Sequence, residues 1–393
     1  MTAGRSRVLM LVWTSVATDT RVLREASTLT SMGRAVHIIG RAVPSDFVPP
    51  PGITVASMGT APLSSTRTRR LSRAERAARW ALLPTHVTRQ IAAWQRDAEA
   101  AAAAWAEAEG APEVVHAHDF SALPVGHRLA QRWDVPLVYD THEYWVGRPV
   151  EGRPAPLLRR AERLAEARLG VDAAAVVTVG PGVARALRID HPDWPEITVV
   201  RNTFPSRPAA AAPGGPLDAP VGLVYPGRLA AYRELEVVSR ASRLIDLPVT
   251  LVGPADEAWL SGFDRGRAEV LASESLRSID HRLQTAGAAL VTHSDRWPNH
   301  RLALPNKLFH AVSLGVPVVA TDVGELGAAV REHRLGTLYA PGDSASLVRA
   351  VGELVAHYSH HRCAVAAARQ HLVWERDADS LRGLYRALAP TGR

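Results

Sequence analysis

RVLMLVW at residues 7–13, RVLREASTLTSM at 21–32, Gly33, and AVHII at 35–39 form one repeating unit. The first run is short, apolar and rich in aliphatic residues, which reads as a buried strand. In Arg21–Met32, Val22, Leu23, Ala26 and Leu29 fall on or near one stripe at helical spacing. Gly33 suits the end of that helix, and Ala35–Ile39 is the next strand. Strand, helix, glycine and strand make a βαβ unit, which requires a parallel sheet with helices on its faces.

The alternation continues outward. Val114–Ala117 and Leu137–Tyr139 read as short strands with a helix between them, and Ala174–Val179 and Thr198–Val200 follow. Residues 206–220, SRPAAAAPGGPLDAP, carry no apolar period and read as a linker. The pattern then restarts. Strands are expected at Val221–Tyr225, Pro248–Val252, Ala288–Val291 and Val316–Ala320. Helices are expected at about 232–244, across 265–285, and near 306–314 and 344–356. The expected fold class is therefore α/β, with two Rossmann-like doubly wound halves. In such sheets ligands bind at the carboxyl ends of the strands, so the site is expected in a cleft between the halves.

The chain has 393 residues, 47% of them apolar and 22% charged, a composition that folds as two domains. Its apolar runs are far short of a membrane span. The N-terminal run leads into the polar TSVATDT and reads as a strand instead of a signal peptide, so a cytoplasmic protein is expected. The single cysteine, Cys363, rules out a disulfide framework and a cysteine-based zinc site. The net charge of +7 comes almost wholly from arginine, and Lys307 is the only lysine. No nucleic-acid motif accompanies the charge, which leaves an anionic small molecule or an anionic surface as its object. The run Thr66–Arg79 carries Arg67, Arg69, Arg70, Arg73, Arg76 and Arg79. It reads either as a solvated helix and loop or as a peripheral patch for anionic lipid at the inner face of a membrane.

The most informative stretch is LPNKLFHAVSLGVPVVA, Leu304–Ala320. Pro305 and Asn306 suit a helix start and Gly315 its end. Lys307 then lies in the first turn, where the helix dipole disfavours a cation unless an anion is held there. A helix N-terminus with a lysine suits a diphosphate. In VYPGRLAAYRELE, Val224–Glu236, Arg228 follows a strand end and Arg233 precedes a helix; both suit phosphate oxygens. In TDVGE, Gly324 offers backbone N–H groups to the anion. Glu325 is either a hydroxyl acceptor or a helix-start carboxylate. No pair of aspartates stands at a strand end to hold a divalent ion against the diphosphate, so no metal and no cofactor are expected.

The run LPNKLFHAVSLGVPVVATDVGEL with Gly336–Asp343 (GTLYAPGD) resembles the donor region of glycosyltransferase family 4, retaining enzymes of the GT-B fold. Asp19–Val22, Val114–Asp119 (VVHAHD), Leu137–Glu143 (LVYDTHE), Val199–Asn202 (VVRN) and Pro226–Arg228 resemble further blocks of that family in the same order. Trp374-Glu375 and Leu381–Leu388 resemble its terminal helix. The resemblance implies an N-terminal acceptor domain (1–205), the linker (206–220), a donor domain (221–372) and a returning helix (373–393). It implies transfer of a sugar from a nucleotide-diphosphate donor to a glycan, lipid or small-molecule acceptor. Catalytic roles would fall to His118, Arg228 and Lys307, and donor contacts to Arg233, Asn306, His310, Gly324 and Glu325. Thr14, Ser15, Asp19, Arg21, Asp140, His142 and Glu143 would take the acceptor side. One departure stands out. Where the family shows two glutamates eight positions apart, this chain has Leu302 and His310. His310 is expected to make the ribose contact by one hydrogen bond. A nucleotide-sugar 2-epimerase and a non-catalytic partner subunit are the alternative readings.

Overall fold

The computed structural model describes residues 6–59, 72–148, 156–207 and 217–388, with the side chains of 75–86 left undescribed. The chain divides into two compact units. One comprises Met1–Val179, Val183–Val200 and Ala378–Arg393; the other comprises Gly180–Gly182 and Arg201–Asp377.

The first unit is a parallel seven-stranded sheet in the order β3-β2-β1-β4-β5-β6-β7. Its strands are β1 (Arg7–Val12), β2 (Ala35–Arg41), β3 (Ile53–Met58), β4 (Val114–His118), β5 (Leu137–Thr141), β6 (Ala175–Thr178) and β7 (Ile197–Val199). The connecting helices are α1 (Thr20–Ser31), α2 (Arg73–Glu109), α3 (Asp119–Trp133), α4 (Pro156–Val171) and α5 (Pro181–Asp190). The Asp19 side chain caps α1 by accepting from Val22 N, a stabilising arrangement for an otherwise unpaired donor. The order reverses between β1 and β4, which opens a crevice at their carboxyl ends.

The second unit is a parallel six-stranded sheet in the order β10-β9-β8-β11-β12-β13. Its strands are β8 (Gly222–Pro226), β9 (Val249–Val252), β10 (Glu269–Leu271), β11 (Gly287–Val291), β12 (Val318–Thr321) and β13 (Gly336–Tyr339). Its helices are α6 (Leu235–Ser242), α7 (Glu257–Leu260), α8 (Leu276–Ala286), α9 (Pro298–Leu302), α10 (Asn306–Ser313), α11 (Gly324–His333), α12 (Ser344–Ala356) and α13 (Tyr358–Ala368). A last helix, α14 (Trp374–Ala387), runs across the boundary at Asp377 and Ala378. Leu223 and Tyr225 of β8 belong to one apolar cluster and Val224 to another. The strand therefore buries both faces, as a doubly wound sheet requires.

The two parallel α/β sheets agree with the expected fold class. The helix expected across 265–285 is corrected. Gly266 turns at φ +62, β10 follows, and only Leu276–Ala286 is helical, capped by Ser275 accepting from Ser278 N. The strand β3 and the length of α2 were not read from the sequence. Residues 208–216 of the linker, and Arg67, Arg69 and Arg70 of the basic run, lie outside the described residues; Arg73 is exposed at the start of α2, and the side chains of Arg76 and Arg79 are not described. No helix among the described residues is long and apolar enough to cross a membrane.

Candidate active site

In the second unit the reversal of strand order falls between β8 and β11. Several polar side chains gather at the carboxyl ends of these strands. Lys307, in the first turn of α10, places Nζ 4.8 Å from the centre of the Tyr225 ring. Gly227 leaves the space it needs, since a Cβ at 227 would strike Lys307 Cε. Arg233 ends the short turn after β8. Its guanidinium lies 4.8 Å from the Tyr232 ring, and its carbonyl accepts the Thr292 hydroxyl at 2.5 Å. Its Nε is buried without a hydrogen-bond partner. His293 and His300 stack at 4.9 Å behind them, with His300 Nδ1 3.0 Å from Ser294 Oγ.

The electrostatics have one sign. Burial, then Arg233, holds the Lys307 ammonium well below its ordinary pKa. Burial, then His300, Lys307 and Arg233, does the same to His293. Burial and Arg233 bring His300 down to about 4. No carboxylate of the described residues acts on Lys307. A buried donor without a partner and a cation without a counter-ion both favour an anion in this place.

The other donor-side residues lie at strand and helix ends of the same unit. Arg228 is exposed just after β8, and its carbonyl accepts the Tyr225 hydroxyl at 3.0 Å. Asn306 opens α10 and is exposed. Gly324 and Glu325 open α11. Gly324 sits at φ +44 with the Arg301 carbonyl against it, where any Cβ would collide with backbone. His310, expected at the ribose, is engaged within its own unit in this structure. Its Nε2 lies 2.5 Å from Asp280 Oδ1, its ring stacks on Phe204 at 4.8 Å, and Arg207 holds the other Asp280 oxygen. The imidazole thus pairs with Asp280 of α8. His310→Leu is expected to lower the stability of this unit by about 1–2 kcal/mol, since Asp280 keeps only Arg207. Nucleoside-diphosphate affinity should stay unchanged. Thermal denaturation and calorimetry of both proteins check this.

In the first unit a polar cluster sits at the carboxyl ends of β4 and β5. Arg21 of α1 is buried and donates to both Asp140 oxygens, at 2.8 and 2.7 Å. A third donor reaches the Val200 carbonyl at 2.6 Å, and Glu25 lies 3.1 Å from the guanidinium. His118 Nδ1 lies 3.0 Å from Asp140 Oδ2 and 3.1 Å from His142 Nε2. His116 stacks on His118 at 4.3 Å and meets the Tyr385 hydroxyl of α14 at 2.9 Å. Burial alone would raise the Asp140 carboxyl, yet Arg21 and His142 hold it well below the ordinary range. Burial opposes charge on His142, but Asp119 and Asp140 lift its pKa to about 10. Burial raises Glu25 to about 8 and keeps His116 and His118 low. At neutral pH the cluster therefore holds a charged Arg21, Asp140 and His142 with a neutral Glu25, His116 and His118.

His118 and His142 differ in exposure, and the buried His118 Nε2 has no hydrogen-bond partner among the described residues. His118 is fully buried, whereas His142 keeps 17% of its side chain exposed. His142 is the imidazole that reaches solvent, and His118 stands behind it. Thr14 donates to Asp19 at 2.8 Å. Ser15 accepts from Thr18 through its carbonyl at 3.1 Å, and the Glu143 carbonyl accepts the Thr141 hydroxyl at 2.6 Å. Donor atoms of Glu25, His116, His118 and Asp140 lie within 4.8 Å of one another, close enough to hold a metal ion. Arg21 already supplies the positive charge beside Asp140, and Glu25 is neutral at pH 7. Tyr225, His293 and His300 were missed by sequence reasoning. Their one signal was position, at or just after a strand end or ahead of the Lys307 helix.

Comparison with known proteins fits these two units. The description Glycosyl transferase 4-like domain matches residues 17–203, and Glycosyl transferases group 1 matches residues 221–357. Sucrose-phosphate synthase from Thermosynechococcus elongatus superposes with a TM-score of 0.72 at 18% identity, covering 99% of this chain and 100% of that one. Anabaena HepE in complex with UDP-glucose gives 0.67 at 14% identity, covering 97% and 99%. These are glycosyltransferase folds of the GT-B class, and the chain shares that class of fold. A D-inositol 3-phosphate glycosyltransferase of Geodermatophilus obscurus is 27% identical over 409 residues, 94% of this chain and 84% of that protein. A glycogen synthase of Mycobacterium tuberculosis is 28% identical over 275 residues, 68% of this chain and 66% of its own length. The chain belongs to the glycosyltransferase family that the two matched descriptions define, the 4-like domain followed by the group 1 domain.

Proposed function

We propose that this chain moves a sugar from a nucleotide-diphosphate donor to an acceptor hydroxyl, with retention at the anomeric carbon and without a metal ion. The observation that carries the reading is the Lys307–Arg233 centre, two cations with an orphaned buried Nε and no carboxylate acting on Lys307 among the described residues. The leaving diphosphate gains negative charge as the bond from the anomeric carbon to its phosphate oxygen breaks. Fixed cations stabilise that charge without reorganising. The α10 N-terminus and the nearby Arg228 add to the same field. The acceptor oxygen forms the new bond on the face the diphosphate leaves, and its proton passes to the departing diphosphate. On the acceptor side, His142 meets the substrate, while Asp140, Arg21 and His118 fix its orientation and charge.

The fold's relatives support a nucleotide-sugar donor, since the neighbouring HepE structures are complexes with UDP and UDP-glucose. The experiment is a thermal-shift screen of nucleotide sugars, followed by transfer assays with and without EDTA and NMR of the product's anomeric carbon. A stabilising donor, transfer that survives EDTA and a retained configuration are expected. An isomer formed from donor alone would favour the epimerase, and loss of activity restored by magnesium would overturn the metal-free part.

A further inference from the structure

The helix α4 buries or half-buries its acidic residues while exposing three large apolar ones. Its acidic residues face inward. Glu166 is buried and accepts the Tyr139 hydroxyl at 2.6 Å. Glu162 accepts from Trp145 Nε1 at 3.0 Å. Gly170 packs on the Trp194 ring, whose Nε1 donates to the Ala167 carbonyl at 3.0 Å. Leu158 and Leu169 are half-buried, but three other large apolar residues face outward. Leu157, Leu164 and Val171 are 83%, 63% and 49% exposed. Their spacing of seven puts them within one narrow stripe of the helix, about 21 Å long at 1.5 Å per residue. Arg160, Arg163 and Arg168 are exposed along its two sides. Arg163 reaches Asp190 at 3.0 Å, which ties the end of α5 beside the stripe, and there Ile189 is 80% exposed.

A water-facing helix normally shows the opposite pattern. Exposed leucines in register on a folded, internally satisfied helix indicate a surface that is covered in use. The charge along the stripe chooses the cover: arginines flank it, the helix's acids point inward, and the chain carries +7 overall. We propose that the outer face of α4 lies on an anionic lipid surface, with Leu157, Leu164, Val171 and Ile189 among the acyl chains and Arg160 and Arg168 at the headgroups. A helix with an apolar stripe and a basic border binds such an interface in its plane. This surface is separate from the residues assigned to sugar transfer, and the proposal does not rest on that reaction.

The test is co-sedimentation of the full chain with phosphatidylglycerol–phosphatidylcholine vesicles and with phosphatidylcholine vesicles. The parent protein is expected to pellet with the anionic vesicles only, less so at high salt. Two variants separate the contributions: Leu157→Ser/Leu164→Ser and Arg160→Glu/Arg168→Glu. Each is expected to bind the anionic vesicles at least about tenfold more weakly, with unchanged melting temperature and unchanged UDP affinity. Failure of the parent to pellet would overturn the proposal, as would equal binding by both variants. A concentration-dependent dimer in light scattering that Leu164→Ser disperses would assign the stripe to a second copy of the chain instead.

Discussion

Lys307→Ala is expected to lower turnover about 30- to 1000-fold, the equivalent of about 2–4 kcal/mol of lost transition-state stabilisation. The ammonium lies beside Arg233 with no carboxylate acting on it among the described residues, so its stabilising interaction arises only when an anion arrives. The effect should fall chiefly on kcat, because charge on the diphosphate grows as the sugar leaves. The fold should survive, since removing a desolvated cation that lies beside Arg233 relieves a cost. Lys307→Arg is expected to rescue poorly. Gly227 packs close against the lysine stem, which leaves little room for a planar guanidinium. Steady-state kinetics on a proven donor, with thermal denaturation as control, check both variants. Near-normal turnover in Lys307→Ala would move the diphosphate elsewhere.

Arg21→Ala carries the largest expected effect on stability, a loss of about 3–5 kcal/mol, because it strips a buried carboxylate of its main cation. Both Asp140 oxygens accept from Arg21, and both residues are buried. The loss should depend on pH with a definite sign. In the parent the Asp140 pKa is depressed, so its contribution is present above the unfolded value near 4 and fades as pH falls through the folded value. In the variant burial is opposed only by the remaining partners, so the folded pKa rises. The gap between parent and variant should then be wide at pH 7 and narrow towards pH 4. Urea denaturation at the two pH values measures it; a gap that is small at both, or unchanged between them, contradicts the role given to Arg21.

The sequence showed the alternation of both sheets because most of the central strands are short apolar runs, as in Val8–Val12 and Ala288–Val291. It showed α10 because Pro305 and Asn306 open it and Gly315 closes it. It did not show β10, whose three residues pair only with β9. Local pattern did not show the pairing of His310 either, since its partner Asp280 lies thirty residues away and its stacking partner Phe204 more than a hundred. The cations at 233 and 307 were legible as residue types at strand and helix ends. That no carboxylate among the described residues acts on Lys307 is a tertiary fact. The same holds for α4, where Tyr139, Trp145 and Arg148 explain why its glutamates turn inward. The histidine pair 293 and 300 carried no periodic signal at all.

The central claim, that the Lys307–Arg233 centre binds the diphosphate of the donor, makes a prediction about protons. Burial and Arg233 depress the ammonium's pKa in the free protein. A bound diphosphate raises it, so binding takes up a proton between the two values, and affinity falls as pH rises through the bound one. The direct measurement is calorimetric titration of UDP in two buffers of different ionisation enthalpy, with the parent chain and with Lys307→Ala. The account predicts proton uptake by the parent, none by the variant, and weaker binding by the variant. Equal affinity in the two proteins, with the same proton balance, would contradict it.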